Sequence, residues 1–484
     1  MRFERSWTTA LVVGVISLTS GGWLLNQGTG GSVIESQRLL EEVHHLIADR
    51  FVEQIEPSEL YRMAIDGMLE ELGDPYTSFL DPRDFEDLRL STTGNYGGLG
   101  IRIDEKAGWI TVVHVLPDTP AEREGLVIGD RIIEVEGESA ENWTSNKAVQ
   151  VLRGPKGAPV NITVARVGVD RPLRFKIVRD EIHVVQVQSF MLGDRVGYVK
   201  LNGFSREAQE ELTEAIDARL ADGAASLVLD LRMNPGGLLE EGISVTNLFL
   251  PRGAEVVETR SRLPDQNYTY RAPADETYTG IPLVLLVNEW SASASEIVAG
   301  ALQDHDRALL IGTTTFGKGS VQTLYSLSGG NHVKITTARW FTPVGRSIQR
   351  EFDPDEEMRA LASEAVSVSG EPVAVPQEEP AEREVFRTDG GRDVYGGGGI
   401  TPDLVVLPDT LSTGEQEFRR RVVTSGVVPA DAVFRWAVEW ARENPGLRPG
   451  FALTPRMRDG VYEQLRTEGA VIERELFDES GRYV

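Results

Sequence analysis

The sequence predicts a multidomain α+β chain, and three observations carry that expectation. Its 484 residues amount to about three domains of ordinary size. Between Ser91 and Asp180, short strand-like runs alternate with glycine turns around one helical stretch. From Glu181 onward, apolar strand patterns and helix patterns alternate, as in a layered β/α core. Helical patterns flank these two regions at both ends.

Composition narrows the function. The formal net charge is −26, from 75 acidic against 49 basic residues. Nucleic acid is therefore excluded as a partner, because binding it needs basic surface. With no cysteine there is neither a disulfide nor a thiol nucleophile. The six histidines (His44, His45, His114, His183, His305 and His332) show no spacing such as H-E-x-x-H, so no catalytic metal and no cofactor is expected.

Residues 1–31 read as a targeting segment and linker. Arg2 and Arg5 precede an apolar stretch, Trp7 to Leu25, about long enough to span a bilayer. Arginines on that side place the N-terminus in the cytoplasm and the body outside it. No small-x-small cleavage site follows. The expectation is an uncleaved anchor in the inner membrane with an extracytoplasmic, periplasmic body; a cleaved and secreted form is the alternative. Residues 32–90 read as a helical region. Ser36–Glu53 carries Leu39, Leu40, Val43, Leu46 and Ile47 on one face; Ser58–Leu72 carries Leu60, Met63, Ala64, Met68 and Leu69. Ser58 is the expected N-cap and Gly73 the stop. In DPYTSFLDPRDF the polar residues read as turn and cap groups.

Residues 91–180 open with the loop Gly98-Leu99-Gly100-Ile101. A strand from Trp109 to Leu116, the phrase PAEREGLVIGDRIIEVEG, a helix from Ser145 to Leu152 and strands around Val160–Val164 and Leu173–Val178 follow. A lone GLG reads equally as a tight turn. With the rest of the segment it resembles a PDZ domain, a β-rich module with short helices. That resemblance implies that the amides of Gly98, Leu99, Gly100 and Ile101 receive a ligand's terminal carboxylate, while the ligand adds as a strand. Arg153, just past the helix, fits either a carboxylate or a structural ion pair.

Residues 181–350 read as the core. Val196–Leu201 is a strand, Ser205 caps a helix to about Leu220, and Leu227–Leu231 is a buried strand leading into Arg232-Met233-Asn234-Pro235-Gly236-Gly237. A helix pattern then runs from Leu238 to Leu250. A Gly-Gly pair between strand and helix serves a tight turn, and it also leaves amides facing outward. Pro282–Val287 is another buried strand. It leads to Ser291, Ser293 and Ser295 at alternate positions, and the helix pattern begins at Ala294. Unpaired amides and the helix dipole make such a turn suited to holding an oxyanion. A serine nucleophile needs a base. Lys318, framed by Gly317 and Gly319 and opening the strand-like run KGSVQTLYSL, can serve if burial favours its neutral form. Lys318, Ser320 and Gln322 would share one strand face, which lets Gln322 orient the amine. On residue types alone, a helix-capping serine and a surface lysine remain open. Gly312–Lys318 approaches a phosphate-binding loop, but Gly319 stands where magnesium needs Ser or Thr.

SASASEI, then ALQDHDRALLIG and FGKGSVQ, resemble the active-site segment of the C-terminal processing peptidases, or tail-specific proteases. The resemblance covers about residues 35 to 350 and returns at Gly396–Asp403, within 396–406. It implies a serine endopeptidase with a crotonase-like spiral β/α core, Ser293 as nucleophile, Lys318 as general base and Gln322 in support. It also implies an oxyanion hole from the Ala294 amide and one of Gly236 or Gly237, the second being favoured. Its substrates would be proteins or peptides with free C-termini, and an oligomer or an adaptor is a further expectation. Residues 351–395 form an acidic insertion where the family has a short link, and 407–484 a helical appendage. A non-catalytic PDZ scaffold is the rival reading; it could lack Ser293, Lys318 or Gln322, and all three are present. A trypsin-like protease would need a histidine base in its own motif, which is absent.

Overall fold

The computed structural model describes residues 30–350, 383–407, 411–444, 446 and 451–480. The expected anchor, Met1–Leu25, and most of the acidic insertion lie outside them. Among the described residues no helix is long and apolar enough to cross a membrane. The chain forms two compact units. One holds the described residues up to Phe85 with Gln322–Thr336; the other runs from Glu86 to Val321 and from Thr337 onward.

In the first unit, α1 (Gly30–Arg50) starts earlier than the pattern predicts. Its expected apolar stripe, Leu39, Leu40, Val43, Leu46 and Ile47, is exposed. The residue it buries is His44, which stacks on Tyr61 at 4.0 Å and bonds the Pro57 carbonyl at 3.0 Å. Helix α2 (Pro57–Glu70) has Glu56, not Ser58, in the cap position. Proline suits the first helical turn, where its missing N–H has no partner to lose. Leu60 is buried in α2, whereas Met63 and Met68 are exposed. Asp74 accepts from Thr77 Oγ1 at 2.5 Å, and Asp81 accepts from the Arg83 and Asp84 amides at 2.8 and 2.9 Å. β1 (Ser78–Leu80) pairs antiparallel with residues 332–334. Helix α3 (Pro82–Thr93) follows.

In the second unit, a two-stranded ribbon opens and closes the PDZ-like module. β2 (Asn95–Gly98) pairs antiparallel with Asp180–His183, placing Asn95 opposite His183. Between them lie β3 (Ile101–Lys106), β4 (Trp109–Val115), α4 (Pro120–Arg123), β5 (Arg131–Val135), β6 (Glu138–Ser139), α5 (Ser145–Leu152), β7 (Pro159–Ala165) and β8 (Leu173–Val178); the ribbon's second strand is β9 (Asp180–His183). The sheet order is β3-β4-β5-β7-β8, so β3 is an edge strand. Ile110, Val112, Ile132, Val160, Ile162 and Ile177 fill its core. Thr144 caps α5 by accepting from the Lys147 amide.

The core strands and helices are β10 (Val187–Leu192), β11 (Val196–Leu201), α6 (Ala208–Ala221), β12 (Ser226–Asp230), α7 (Leu239–Asn247), β13 (Glu255–Arg260), β14 (Tyr268–Arg271), β15 (Leu283–Val287), α8 (Ala294–Asp304) and β16 (Leu309–Gly312). Next come β17 (Ser320–Ser326), β18 (His332–Phe341), β19 (Val385–Arg387), β20 (Asp393–Tyr395) and β21 (Leu404–Val405). The main sheet runs β10-β11-β12-β15-β16-β21, and every pair except β10–β11 is parallel. The sequence that resumes after the insertion thus completes this sheet. Val199, Leu229, Leu285, Val298 and Leu302 pack its core. Three boundaries differ from the reading above. Glu207, not Ser205, occupies the cap position of α6, and the Ser205 hydroxyl is buried without a partner. Helix α7 is shorter than expected. The strand expected to open at Lys318 starts at Ser320, because the Gly317 and Lys318 amides bond Glu296 and the Gly317 carbonyl and Gly319 amide bond Arg350 and Gln349, while the Gly319 carbonyl bonds Trp340 of β18.

The C-terminal helices are α9 (Thr413–Thr424), α10 (Pro429–Glu443), α11 (Pro455–Thr467) and α12 (Arg474–Glu479). They share a separate core of Phe418, Val422, Val461, Leu465 and Phe477.

Candidate active site

Three turns leave the carboxyl ends of the parallel strands β12, β15 and β16, where open α/β sheets place their ligands. They contain Arg232–Gly237, Asn288–Ser293 and Thr313–Gly319.

The serine turn separates its three hydroxyls. Ser291 is buried and donates to the Leu231 carbonyl at 2.8 Å. Ser295 is buried and donates to the Asn234 carbonyl at 3.0 Å. Both are committed to the fold. Of the three, Ser293 alone is only half-buried, and it sits at φ 55° and ψ −113° in the cap position of α8. A non-glycine residue at positive φ stores about 1–3 kcal/mol, which the surrounding bonds must hold.

Glu296 supplies that hold. Its carboxylate is fully buried one turn into α8. Oε2 accepts from the Ser293 amide at 2.8 Å and from the Lys318 amide at 2.9 Å. Oε1 accepts from the Gly317 amide at 2.7 Å and from Thr315 Oγ1 at 2.6 Å. One oxygen thus fixes the backbones of both Ser293 and Lys318. Burial pushes the Glu296 carboxyl up, and the four donors oppose that rise. Lys318 is partly buried; its carbonyl accepts from the Trp340 indole at 3.1 Å. The Ile400 amide donates to Thr315 Oγ1 at 2.7 Å, which ties the resumed segment to this loop. Sequence reasoning passed over Glu296. The signal was there as a capping-box spacing, Ser293-x-x-Glu296.

The glycine turn faces the serine. Gly236 lies at φ 95°, and a Cβ on it would stand 2.8 Å from Ser293 Cβ and 2.9 Å from the Ala294 nitrogen. Its amide donates to Asn234 Oδ1 at 2.9 Å. Asn234 is buried, donates to the Leu201 carbonyl at 2.9 Å and accepts from the Ala292 amide at 3.0 Å. It therefore sews the glycine turn to the serine turn. Gly237 adopts φ 151° against the Phe204 backbone. At the foot of the turn, Asp230 accepts from Arg232 Nη2 at 2.7 Å and Tyr198 Oη at 2.5 Å. Burial pushes the Asp230 carboxyl up, but Arg232 and Tyr198 together hold it below the usual carboxylate range. Burial and Asp230 raise the Tyr198 hydroxyl to about 12. Met233, Trp290 and Phe316, one on each turn, expose apolar side chains.

The remaining expected site residues lie elsewhere. Gln322 is on β17 and its Nε2 donates to Thr336 Oγ1 at 3.2 Å. Gly98, Leu99, Gly100 and Ile101 form the turn into edge strand β3. Gly100 there is at φ 81°, and a Cβ would stand 2.2 Å from Thr119. Arg153 pairs with Asp87 at 3.3 Å and lies over the Tyr96 ring at 5.0 Å. Among the described residues one group has metal-ligand character, His183, Glu207 and Glu211, and it lies outside these three turns.

Comparison with known proteins finds three family matches. Peptidase family S41 matches residues 195–358, a PDZ domain matches 87–165, and the activating protease CtpB N-terminal domain matches 26–83. A carboxy-terminal-processing protease of Bartonella bacilliformis is 43% identical over 312 residues, covering 64% of this chain and 71% of the relative. The carboxy-terminal processing protease CtpA of Bacillus subtilis is 34% identical over 345 residues, covering 71% and 73%. Among solved structures, the photosystem II D1 C-terminal processing protease is 27% identical with a TM-score of 0.40, covering 77% of this chain and 87% of its own.

Proposed function

The chain belongs to peptidase family S41, as a C-terminal processing serine protease with a PDZ domain, and on that premise we propose that it cleaves peptide bonds with a Ser293/Lys318 dyad. The observation that carries the reading is the Glu296 carboxylate, which binds the backbones of both residues. Of the three serines, only Ser293 is neither buried nor tied to a neighbouring carbonyl.

In this mechanism the neutral Lys318 amine takes the proton as Ser293 Oγ bonds to the scissile carbonyl. The Ala294 amide, at the first position of α8, and the Gly237 amide stabilise the oxyanion. Gly237 is the better of the two glycines, because the Gly236 amide is already spent on Asn234. Collapse breaks the C–N bond, and Lys318 returns its proton to the leaving amine. Water then attacks the ester with Lys318 as base and releases the new carboxylate. Met233, Trp290 and Phe316 give the turns apolar rims for an unfolded chain. The substrate's C-terminus docks at Gly98–Ile101 and pairs along β3, whose outer edge carries no neighbouring strand among the described residues. Arg153, paired with Asp87, serves that loop as support. The N-terminal segment anchors the enzyme in the inner membrane, facing the periplasm, on the strength of Arg2, Arg5 and the apolar run after them.

The test is turnover of an unfolded protein with an apolar C-terminus. Ser293→Ala and Lys318→Ala each abolish it, the double variant loses little more, and Ser291→Ala keeps much of it. Full activity in Lys318→Ala removes the dyad. Since only the neutral amine acts as base, turnover rises with pH; a flat profile between about pH 5 and 9, with chemistry rate-limiting, counts against a lysine base.

A further inference from the structure

The ribbon that joins the PDZ domain to the core ends beside the start of α6. His183, the last residue of β9, faces Glu207 and Glu211 there. Ligand atoms of the three lie within 4.8 Å of one another. We propose that they form a site for a divalent transition-metal cation that accepts nitrogen and oxygen ligands, fastening the ribbon to the core helix.

The orientation of His183 carries the argument. Its Nδ1 stands 2.9 Å from Asn95 Oδ1, and the Asn95 amide nitrogen donates to Glu207 at 3.4 Å. That second contact fixes which end of the amide meets the ring. Asn95 Oδ1 is an acceptor, so His183 Nδ1 carries the proton. In the neutral imidazole, Nε2 then presents a lone pair. It points at Glu211 Oε1, another acceptor, 2.8 Å away. A positive charge is called for between the two, and either a proton on Nε2 or a bound cation supplies it. A metal-bound histidine has this arrangement, its other N–H donated to a neighbouring carbonyl. Glu211 is aimed in the same way, since its second oxygen accepts from the Gln186 amide at 2.6 Å. With metal–nitrogen and metal–oxygen bonds of about 2.0–2.2 Å, adjacent ligand atoms on one ion stand about 3 Å apart; His183 Nε2 and Glu211 Oε1 already do, at 2.8 Å, while Glu207, whose Oε2 lies 3.5 Å from Nδ1, would close in on the ion by a side-chain rotation.

The surroundings ask for a cation as well. A cavity of about 590 Å³ is lined by His183, Glu207, Glu210, Glu211 and Glu214, with Val185, Val187 and Ala215. Among the described residues four carboxylates thus face one imidazole, and no lysine or arginine lines the cavity. Imidazole with carboxylates suits zinc, manganese or cobalt better than magnesium or calcium. No linear spacing reveals the site, because its ligands come from two modules.

The ion would also reach the active site through the backbone. Asn202 donates to the Gln186 carbonyl at 2.9 Å, Phe204 donates to the Gly236 carbonyl at 3.0 Å, and the chain then enters α6 at Glu207. The proposed anchor and the glycine turn are thus joined by one short loop.

The experiment titrates zinc into the EDTA-stripped full chain by calorimetry and follows Tm. Wild type is expected to bind one zinc saturably, with a rise in Tm. His183→Ala weakens that site at least about tenfold and removes the rise in Tm. So does the paired variant Glu207→Gln, Glu211→Gln, which keeps side-chain volume and His183 should His183→Ala fold poorly. Magnesium at equal concentration leaves zinc in place. Absence of a saturable site in wild type overturns the proposal, as does wild-type affinity in the paired glutamine variant. Displacement by equal magnesium overturns its assignment to a nitrogen-containing ligand set. None of these readouts depends on proteolysis.

Discussion

Glu296 receives four donors on two oxygens with no room to rotate away from them. In Glu296→Gln one acceptor oxygen becomes an NH2 group. Whichever way the amide turns, that NH2 meets two donors. Each orphaned buried donor costs about 1–3 kcal/mol, so Tm should fall. The strained φ of Ser293 should relax, so kcat should fall more than KM changes. Wild-type turnover at wild-type Tm in this variant would refute the clamp. Asp230 allows a pH test. Its folded carboxyl lies below the ordinary range, held there against burial by Arg232 and Tyr198. A depressed carboxylate contributes stability above its unfolded value, about 3.9, and loses it as pH falls through the folded value. Asp230→Asn should therefore melt lower than wild type at pH 7, and the gap should close below about pH 3.9. A gap that persists in acid would mean the residue acts through shape alone. The proposed pair, Ser293 and Lys318, could be picked out from sequence because serine, lysine and glycine stand in a linear motif. The commitments of Ser291 and Ser295 were not, because their acceptors, Leu231 and Asn234, lie on another strand's turn. Nor was the positive φ of Ser293, which depends on a carboxylate holding two turns at once.

In the PDZ domain β4, α5, β7 and β8 were read within a residue or two, since their strands alternate and their turns carry glycine, whereas β2, β5, β6, β9 and α4 were not delimited. The role of the C-terminal helices was not. Trp436, Val438 and Trp440 mark α10 as amphipathic in sequence, but not what its faces meet. Trp436 and Trp440 stack at 5.1 Å, and Trp436 lies against Gly460. Val438 goes the other way. A Cβ on Gly129, in the PDZ domain, would stand 2.6 Å from Val438 Cγ1, and one on Gly168 would meet Arg442. Lys106, at the end of β3, completes the contact with Asp431 at 2.6 Å and lies over the Phe434 ring at 5.2 Å. Only 13% of the lysine side chain and 21% of the aspartate are exposed. A charge-assisted bond of this kind is worth about 1.5–3 kcal/mol. Lys106→Ala should loosen α10 from the PDZ domain. Hydrogen exchange should rise across 429–443 and at the β3–β4 turn, while 457–477, packed in the helices' own core, stays protected. Unchanged exchange in 429–443 would show that the pair holds nothing. The α1 stripe failed in the opposite sense: its period is helical, yet Leu39, Leu46 and their neighbours stay exposed, because periodicity reports a face and not what covers it.

At the scale of the whole molecule, the proposed docking of a tail on β3 raises the question of how that tail would reach Ser293. The PDZ domain leaves and rejoins the core through the β2–β9 ribbon, and α10 holds the far end of β3. A tail laid along β3 adds contacts at both ends of that span. It can act as a tether, raising the local concentration of substrate near the three turns. It can also act as a gate, if the bound domain favours an arrangement in which Ser293, Lys318 and the Ala294 and Gly237 amides come into register. A gate works only if the tail binds that arrangement better than the other, and the activation cannot exceed the difference in affinity. Amidating the substrate's C-terminus should raise KM in both cases, since the Gly98–Ile101 amides lose their anion. A short free tail peptide added in trans separates the two. It should speed cleavage of a small unrelated ester if the domain is a gate, and only compete with protein substrate if it is a tether. The α10 contact sharpens the distinction. If it restrains a gate, Lys106→Ala should raise basal ester cleavage and shrink the further gain from added peptide. A tether gives no such trade, because a small ester never visits the PDZ domain. If amidation leaves KM unchanged, the loop does not read carboxylates, and neither account of the domain survives.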